Sequence, residues 1–278
     1  MDNSSVSVGD GEPSPFGENI SPKTDGMFSR SNRQRFAWDF AIAKARGIYG
    51  FDALDSRSRS FNMIRARLMG LKAQQGWRMI GVVSATPNVG KSFIAANIAA
   101  ALSREPSLDT FAVDLDLRRA TLSAMFEIQP EVSLSSYLAE ESAALAPSVY
   151  QLDKENLTVV PTTAGAMIRS AELVAGHRAH ALLQELRNLG DDSMVIVDLP
   201  PVFANDDAIT VMSRLDAYIM VAEEGKTKQR ELQDAIGLLG LDRLAGVILN
   251  KYRGGMISEG YGFDSYYADG YPSSVSEA

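Results

Sequence analysis

Eight consecutive residues, Ala85-Thr86-Pro87-Asn88-Val89-Gly90-Lys91-Ser92, combine the residue types and spacing needed to hold a phosphate chain. They fit the Walker A pattern, with Ala at the first glycine position. In such a loop the backbone N–H groups and the start of the following helix cradle phosphate oxygens. Lys91 reaches the outer phosphates, and the Ser92 hydroxyl is a hard oxygen ligand suited to Mg2+. With Phe93, which follows directly, the residues expected against a bound nucleotide are Pro87, Asn88, Val89, Gly90, Lys91, Ser92 and Phe93. Glycine-bearing turns also arise by chance, so the flanks must decide. Residues 79–83 form an apolar run fit for a strand, and Ile94, Ile98 and Leu102 recur at i, i+4 as on one helix face. Strand, loop and helix in that order select the phosphate-binding reading.

Two carboxylate groups fall where further strands should end, the place at which open α/β sheets bind ligands. The run 110–113 leads into Asp114-Leu115-Asp116-Leu117-Arg118, and the run 194–197 leads into Asp198-Leu199-Pro200-Pro201. A single Asp at a strand end is commonly a turn former or a helix cap. Three such signals in the order loop, Asp-x-Asp, Asp specify a nucleotide site. Asp198 reads as the carboxylate that supports hydrated Mg2+, and Ser92, Asp114 and Asp198 form the expected metal set.

The elements that position these groups follow from the alternation of short apolar runs with helical patterns after residue 78. Runs at 79–83, 110–113, 157–160, 194–197, 217–221 and 246–249 predict a mostly parallel sheet with helices on both faces. Upstream, residues 1–32 are rich in Ser, Gly and Pro and read as a disordered tail. Residues 33–77 read as a helical segment. In it Phe36/Phe40 and Trp38/Ile42 stand at helical spacing, and a second helix over 55–75 carries Phe61, Ile64, Leu68 and Leu71 on one stripe. Residues 78–250 form the nucleotide-binding domain, and 251–278 read as a flexible tail.

Composition removes several alternatives. Apolar residues make up 45% of the 278-residue chain and charged residues 22%, as in a globular protein with a real core. Lys and Arg number 27 against 35 Asp and Glu, a formal charge of -8 that argues against nucleic acid as a partner. With no cysteine and two histidines, thiol nucleophiles, zinc-thiolate sites and His-rich metal sites are excluded. No run approaches the ~18–20 apolar residues of a membrane span. The start Met1-Asp2-Asn3-Ser4 lacks a signal peptide's basic and apolar regions, so a soluble, cytoplasmic protein is expected.

Guanine specificity fails on two residues. The switch position reads Asp198-Leu199-Pro200-Pro201 without a glycine. The base-reader position reads Asn250-Lys251-Tyr252-Arg253, with a cation where a carboxylate must accept from the base. Over residues 53–271 the chain instead resembles the bacterial tyrosine kinases (BY-kinases) of capsule and exopolysaccharide synthesis, in the P-loop NTPase superfamily. The resemblance rests on Pro87-Asn88-Val89-Gly90-Lys91-Ser92, on Val113-Asp114-Leu115-Asp116-Leu117-Arg118-Arg119 as the extra Walker A′ motif, and on Val197-Asp198-Leu199-Pro200-Pro201-Val202. Weaker echoes are Leu134-Ser135-Ser136-Tyr137-Leu138, Asp207-Ala208 and the run ending in Asn250. Partitioning ATPases carry a further lysine early in the loop, where this chain has Thr86. Two departures stand out. The loop's centre is Asn88-Val89, and the family's interface helix, at Arg59, Asn62 and Arg65, keeps only the last residue of its pattern.

The resemblance implies a P-loop fold that uses ATP and Mg2+, and transfer of the γ-phosphoryl group to tyrosines of the protein's own tail. Tyr252, Tyr261, Tyr266, Tyr267 and Tyr271 are five of the 9 tyrosines and stand as the acceptors. Lys91, Asp114, Asp116 and Asp198 carry the chemistry. Asp114 or Asp116 takes the phenol proton, and Asn250 contacts adenine. The implied partners are a membrane-embedded polysaccharide chain-length regulator, acting as activator at the inner face of the membrane, and further copies of the chain. The other reading of the same site is an ATP-binding switch with little kinase activity. The basic, aromatic segment 33–51 has two readings, as a docking helix for that regulator or as a helix packed on its own domain.

Overall fold

The computed structural model describes residues 26–153, 155–164 and 169–253. In chain order the elements are β1 (Gln34–Phe36), α1 (Phe40–Ala45), α2 (Arg59–Gln75), β2 (Met79–Ser84), α3 (Lys91–Leu102) and β3 (Asp109–Asp114). There follow α4 (Thr121–Met125), α5 (Leu134–Leu138), β4 (Tyr150–Leu152), β5 (Leu157–Val160), α6 (Ser170–Ala175) and α7 (His177–Arg187). The chain continues through β6 (Ser193–Asp198), α8 (Asp207–Met212), β7 (Ala217–Glu223), α9 (Gln229–Leu239) and β8 (Leu244–Asn250). All strands join one sheet in the order β1-β4-β5-β3-β6-β2-β7-β8. Every neighbouring pair is parallel except β4 and β5. The expected doubly covered α/β architecture is present.

The central strands are apolar throughout because both faces are covered. Along β2, Met79 and Val83 face one layer and Ile80 and Val82 the other, as the two-residue pleat requires. The first layer is built from α5 to α9, including Leu134, Leu182, Val211 and Ala235. The second is built from α1 to α4, including Phe61, Leu68, Ile98 and Leu122. Helix α3 is buried on all sides, and its run Ala99-Ala100-Ala101 admits close neighbours. Gly50 uses that space, for a Cβ there would collide with the Asn97 carbonyl, at 2.2 Å.

The N-terminal segment departs from expectation in three ways. Residues 26–32, read as tail, are ordered: Phe28 is buried and meets Phe111 edge-on at 5.7 Å. Gln34–Phe36 is a strand paired in parallel with Tyr150–Leu152, so Phe36 and Phe40 do not share a helix. The helix begins only at Phe40, where the Asp39 carboxylate accepts from the Ala41 N–H at 2.9 Å. Of the two readings of the 33–51 segment, the structure takes the one packed on its own domain. Ala43, Ile48 and Phe51 are buried, and Trp38 packs between Phe51 and Phe126.

Arg33 ties this segment to the sheet. Its guanidinium, 4% exposed, forks onto Asp109 at 2.9 and 2.7 Å, and donates to Gln151 at 3.0 Å and Thr158 at 3.1 Å. Removing one partner of such a buried pair strands the other charge. Arg33→Ala is expected to lower the unfolding free energy in urea by about 3 kcal/mol. Arg35→Ala, which removes an 88% exposed arginine 3.9 Å from Asp153, should change it by less than about 0.5 kcal/mol. Equal effects of the two would show that the segment is not held by this pair.

Candidate nucleotide site

The site assembles where β2, β3 and β6 end. Because β6 lies between the other two, Val82 and Asp114 are both register partners of Asp198. The phosphate loop leaves β2 and enters α3 at Gly90, whose φ of 94° suits a residue without a Cβ. A Cβ there would strike the Asn250 side chain. Asn250 closes β8 and donates its side-chain amide to the Val89 carbonyl at 2.8 Å. Loop residue Asn88 takes the left-handed conformation at φ 67°, which Asn tolerates better than most side chains.

Lys91, Ser92 and Phe93 form the first turn of α3, and the ammonium of Lys91 lies 3.2 Å from an oxygen of Asp116. Both side chains are buried, at 5% and 2% exposure. Asp114 is buried at the end of β3. One of its oxygens accepts from the Asp116 N–H and the other from the Leu122 N–H, each at 3.1 Å. Burial pushes Asp114 well above the usual carboxylate range, helped by the charges of Asp198 and Asp116 and opposed by those two amides. Asp198 is also fully buried. Burial raises it to about 6, against the pull of Lys91 and the Ser92 hydroxyl. Both Asp198 oxygens lack a hydrogen-bond partner of normal geometry.

These features fit Mg2+. If ionised, three carboxylates against one lysine leave an excess of two negative charges, the charge of one such ion. The unpartnered oxygens of Asp198 are the kind of buried acceptor that needs water or a cation. Among the described residues no three carboxylate or imidazole side chains converge as a dedicated metal cage. This also fits, since Mg2+ is usually held by one or two carboxylates together with phosphates and water.

The structure therefore brings Pro87 to Phe93, Asp114, Asp116, Asp198 and Asn250 to one end of the sheet. Asn250 and Phe93 line a cavity of about 260 Å³ with Tyr49, Arg57 and Tyr252. A second cleft, between Arg33, Arg35, Gln151 and Asn156, opens at the opposite strand ends, away from the phosphate loop. Tyr252 is exposed, whereas Tyr261, Tyr266, Tyr267 and Tyr271 lie outside the described residues. At the expected interface positions, Asn62 accepts from Arg104 and Arg65 lies 3.8 Å from Glu105, both within the chain.

The motif reading gave no partner to Arg119, which closes the Walker A′ run, or to Lys251, and it passed over Asn97. Arg119 donates to the Asn88 side-chain oxygen, and Lys251 donates to the Asn88 carbonyl at 2.8 Å. Asn97 fixes α3 to the N-terminal segment. It accepts from the Tyr49 and Gly50 N–H groups at 2.7 and 3.1 Å, and donates to the Gly47 and Phe93 carbonyls at 3.0 and 2.9 Å. A polar residue inside the apolar run 94–102 was the available signal for Asn97.

The CobQ/CobB/MinD/ParA nucleotide binding domain matches residues 80–261, about two thirds of the chain. The chain belongs to this family. Within it, the tyrosine-protein kinase YwqD of Bacillus subtilis is 28% identical over 208 residues, 74% of this chain and 85% of that protein. The succinoglycan biosynthesis transport protein ExoP of Rhizobium meliloti is 32% identical over 179 residues, 63% of this chain but only 22% of ExoP. The Escherichia coli tyrosine-protein kinase Etk is 28% identical over 199 residues, 70% of this chain and 27% of Etk. The solved kinase domain of Etk superposes with a TM-score of 0.64 at 26% identity, covering 74% of this chain and 82% of that domain.

The raised Asp198 gives a pH-dependent prediction. Its folded value of about 6 exceeds the ordinary 3.8, so between the two the folded state binds the extra proton. Stability then falls as pH rises through that window, and the deficit persists above it. Asp198→Asn is expected to raise the melting temperature of nucleotide-free protein at pH 7.5 by several degrees, a gain that roughly halves by pH 5. The same variant should lose the Mg2+-dependent part of the stabilisation by ADP. Calorimetry showing a lower melting temperature for the nucleotide-free variant at pH 7.5 would mean the carboxylate is structural.

Proposed function

We propose that this chain is an ATP-dependent protein-tyrosine kinase that phosphorylates its own C-terminal tyrosines and so regulates polymerisation and export of an exopolysaccharide or capsule. The observation that carries the reading is the buried Lys91–Asp116 pair beside Asp114 and Asp198. It puts a carboxylate second to Asp198 within the phosphate site, available for a proton. The kinase names of YwqD and Etk and the polysaccharide transport name of ExoP support the same assignment.

Catalysis in this reading is positioning and charge neutralisation. Lys91 and the loop amides hold the phosphates, and the nucleobase occupies the cavity at Asn250 and Phe93. Ser92, Asp198 and Asp114 would hold Mg2+, directly or through water, and the ion supplies charge neutralisation on the transferred group. The tyrosine oxygen bonds to the γ-phosphorus as the bond to the β–γ bridging oxygen breaks, and ADP leaves with that electron pair. A phenol of pKa ~10 needs a base near neutral pH. Asp116 suits the task better than Asp114, because both Asp114 oxygens already accept backbone N–H groups. A phosphate chain that draws Lys91 away leaves Asp116 free to take the proton.

The activator in this reading is a membrane-embedded chain-length regulator, which brings a cytoplasmic chain to the inner face of the membrane. Among the described residues no helix is long and apolar enough to cross a membrane. Neighbouring copies would receive each other's tails.

Lys91→Met should abolish incorporation of labelled phosphate from ATP while leaving the fold intact by circular dichroism. Replacing Tyr252, Tyr261, Tyr266, Tyr267 and Tyr271 by Phe should remove most of the label, and the four-Phe variant that keeps the cavity residue Tyr252 should bind ADP as wild type does. Undiminished labelling of the five-Phe variant would move the acceptors elsewhere. Tyr137 and Tyr150 are buried, which leaves half-buried Tyr49 as the next candidate.

A further inference from the structure

Two cations reach the phosphate loop from outside it, and they differ in what else they hold. Lys251 donates to the Asn88 carbonyl at 2.8 Å and also lies 3.2 Å from Glu223, which Lys226 approaches at the same distance. It shares that carboxylate with Lys226, so it is anchored at both ends and braces the loop from the end of β8. Arg119 donates to the Asn88 side-chain oxygen, is exposed, and has no carboxylate partner among the described residues. It is an unmatched positive charge resting on a neutral group, at the edge of a site built for anions. The loop itself, from Ala85 to Gly90, carries no charge, so Lys91 is its sole built-in cation.

The backbone aims Arg119 at this position. Asp116, the partner of Lys91, accepts at its carbonyl from the N–H groups of both Arg119 and Ala120, at 3.0 and 3.1 Å. Ala120 is held at φ 50°, a left-handed conformation that disfavours alanine. Such outliers are retained where the surroundings over-determine them, often at ligand clamps. Asn88 and Lys251 are left-handed as well, so three of the non-glycine residues at positive φ meet around one contact. Arg119 is thereby coupled through a single tight turn to the Lys91–Asp116 pair.

We propose that Arg119 is a terminal-phosphate contact supplied within the chain: it rests on Asn88 until a nucleoside triphosphate offers it an anion, and it thereby makes the site prefer triphosphate over diphosphate. The inference rests on the nucleotide site described above but not on tyrosine as the acceptor. A guanidinium gains far more from a phosphate oxygen than from a neutral amide oxygen, and its planar fork reaches two such oxygens at once. Lys251, held between the Asn88 carbonyl and Glu223, positions the loop and does not read the phosphate count.

The test is titration calorimetry of the full chain with ADP and with a non-hydrolysable ATP analogue, both with Mg2+. Arg119→Gln is expected to weaken the ATP analogue about tenfold, the order of one charged contact, and to leave ADP within about twofold. Arg119→Lys should keep most of the discrimination, and Lys251→Gln should weaken both ligands alike. Equal losses of both ligands in Arg119→Gln would make it a second loop brace, and no loss of either would make the contact incidental. Either result overturns the proposal. Absence of tyrosine labelling in wild type, with the ligand preference intact and lost in Arg119→Gln, would sink the kinase reading and keep this one. Wild-type protein that binds neither nucleotide would overturn both.

Discussion

Burying three carboxylates against one lysine is the constraint around which this molecule is arranged. Charge of one sign is costly inside a protein unless it is paired, hydrogen-bonded or neutralised by a proton. Here all three appear, and proton affinity is raised at both Asp114 and Asp198. Asp116 takes the lysine, Asp114 takes two backbone N–H groups, and Asp198 keeps an affinity for a proton until something more positive arrives. The parallel register that sets Asp114 level with Asp198 creates the repulsion, and the same register builds the ligand site. A site of this kind is held together by the apolar sheet and helices around it.

That support comes from more of the chain than the nucleotide motifs span. Helix α3, which carries Lys91 and Ser92, is wedged between the sheet and the N-terminal segment, with Asn97 joining the two. Arg33 then fastens the segment to the far side of the sheet through Asp109. Phosphate loop, helix and N-terminal segment therefore act mechanically as one body, and the position of Lys91 is set partly by residues forty to sixty places upstream.

The strands at the centre of the sheet were legible because they are unbroken apolar runs long enough to stand out, and the loop and Asp-x-Asp were legible because their chemistry fixes both type and spacing. The short strands β1 and β4 at one side of the sheet were not. Three residues carry too little periodicity to be read alone, and β1 becomes a strand only by pairing with β4, which itself pairs with β5. The Phe36/Phe40 spacing misled for a related reason. It fits a helix, but Asp39 caps the chain at Phe40 and Trp38 is claimed by Phe51 and Phe126. Arg119 and Lys251 were visible as residues but not as partners of Asn88, because that meeting depends on where β3 and β8 end in three dimensions.

The pairing of β1 with β4 has a consequence during synthesis. Arg33 must wait for Gln151, 118 residues later, before its network can close. At ~5–20 residues per second the ribosome needs on the order of 6–24 s to supply it. Phe36 waits through nearly all of that interval for Tyr150, and Phe28 and Trp38 wait for Phe111 and Phe126, an apolar stretch meanwhile open to wrong partners. The segment made first is thus among the last to be covered, and a chaperone acting on this protein would find its substrate in the stretch from Phe28 to Trp38.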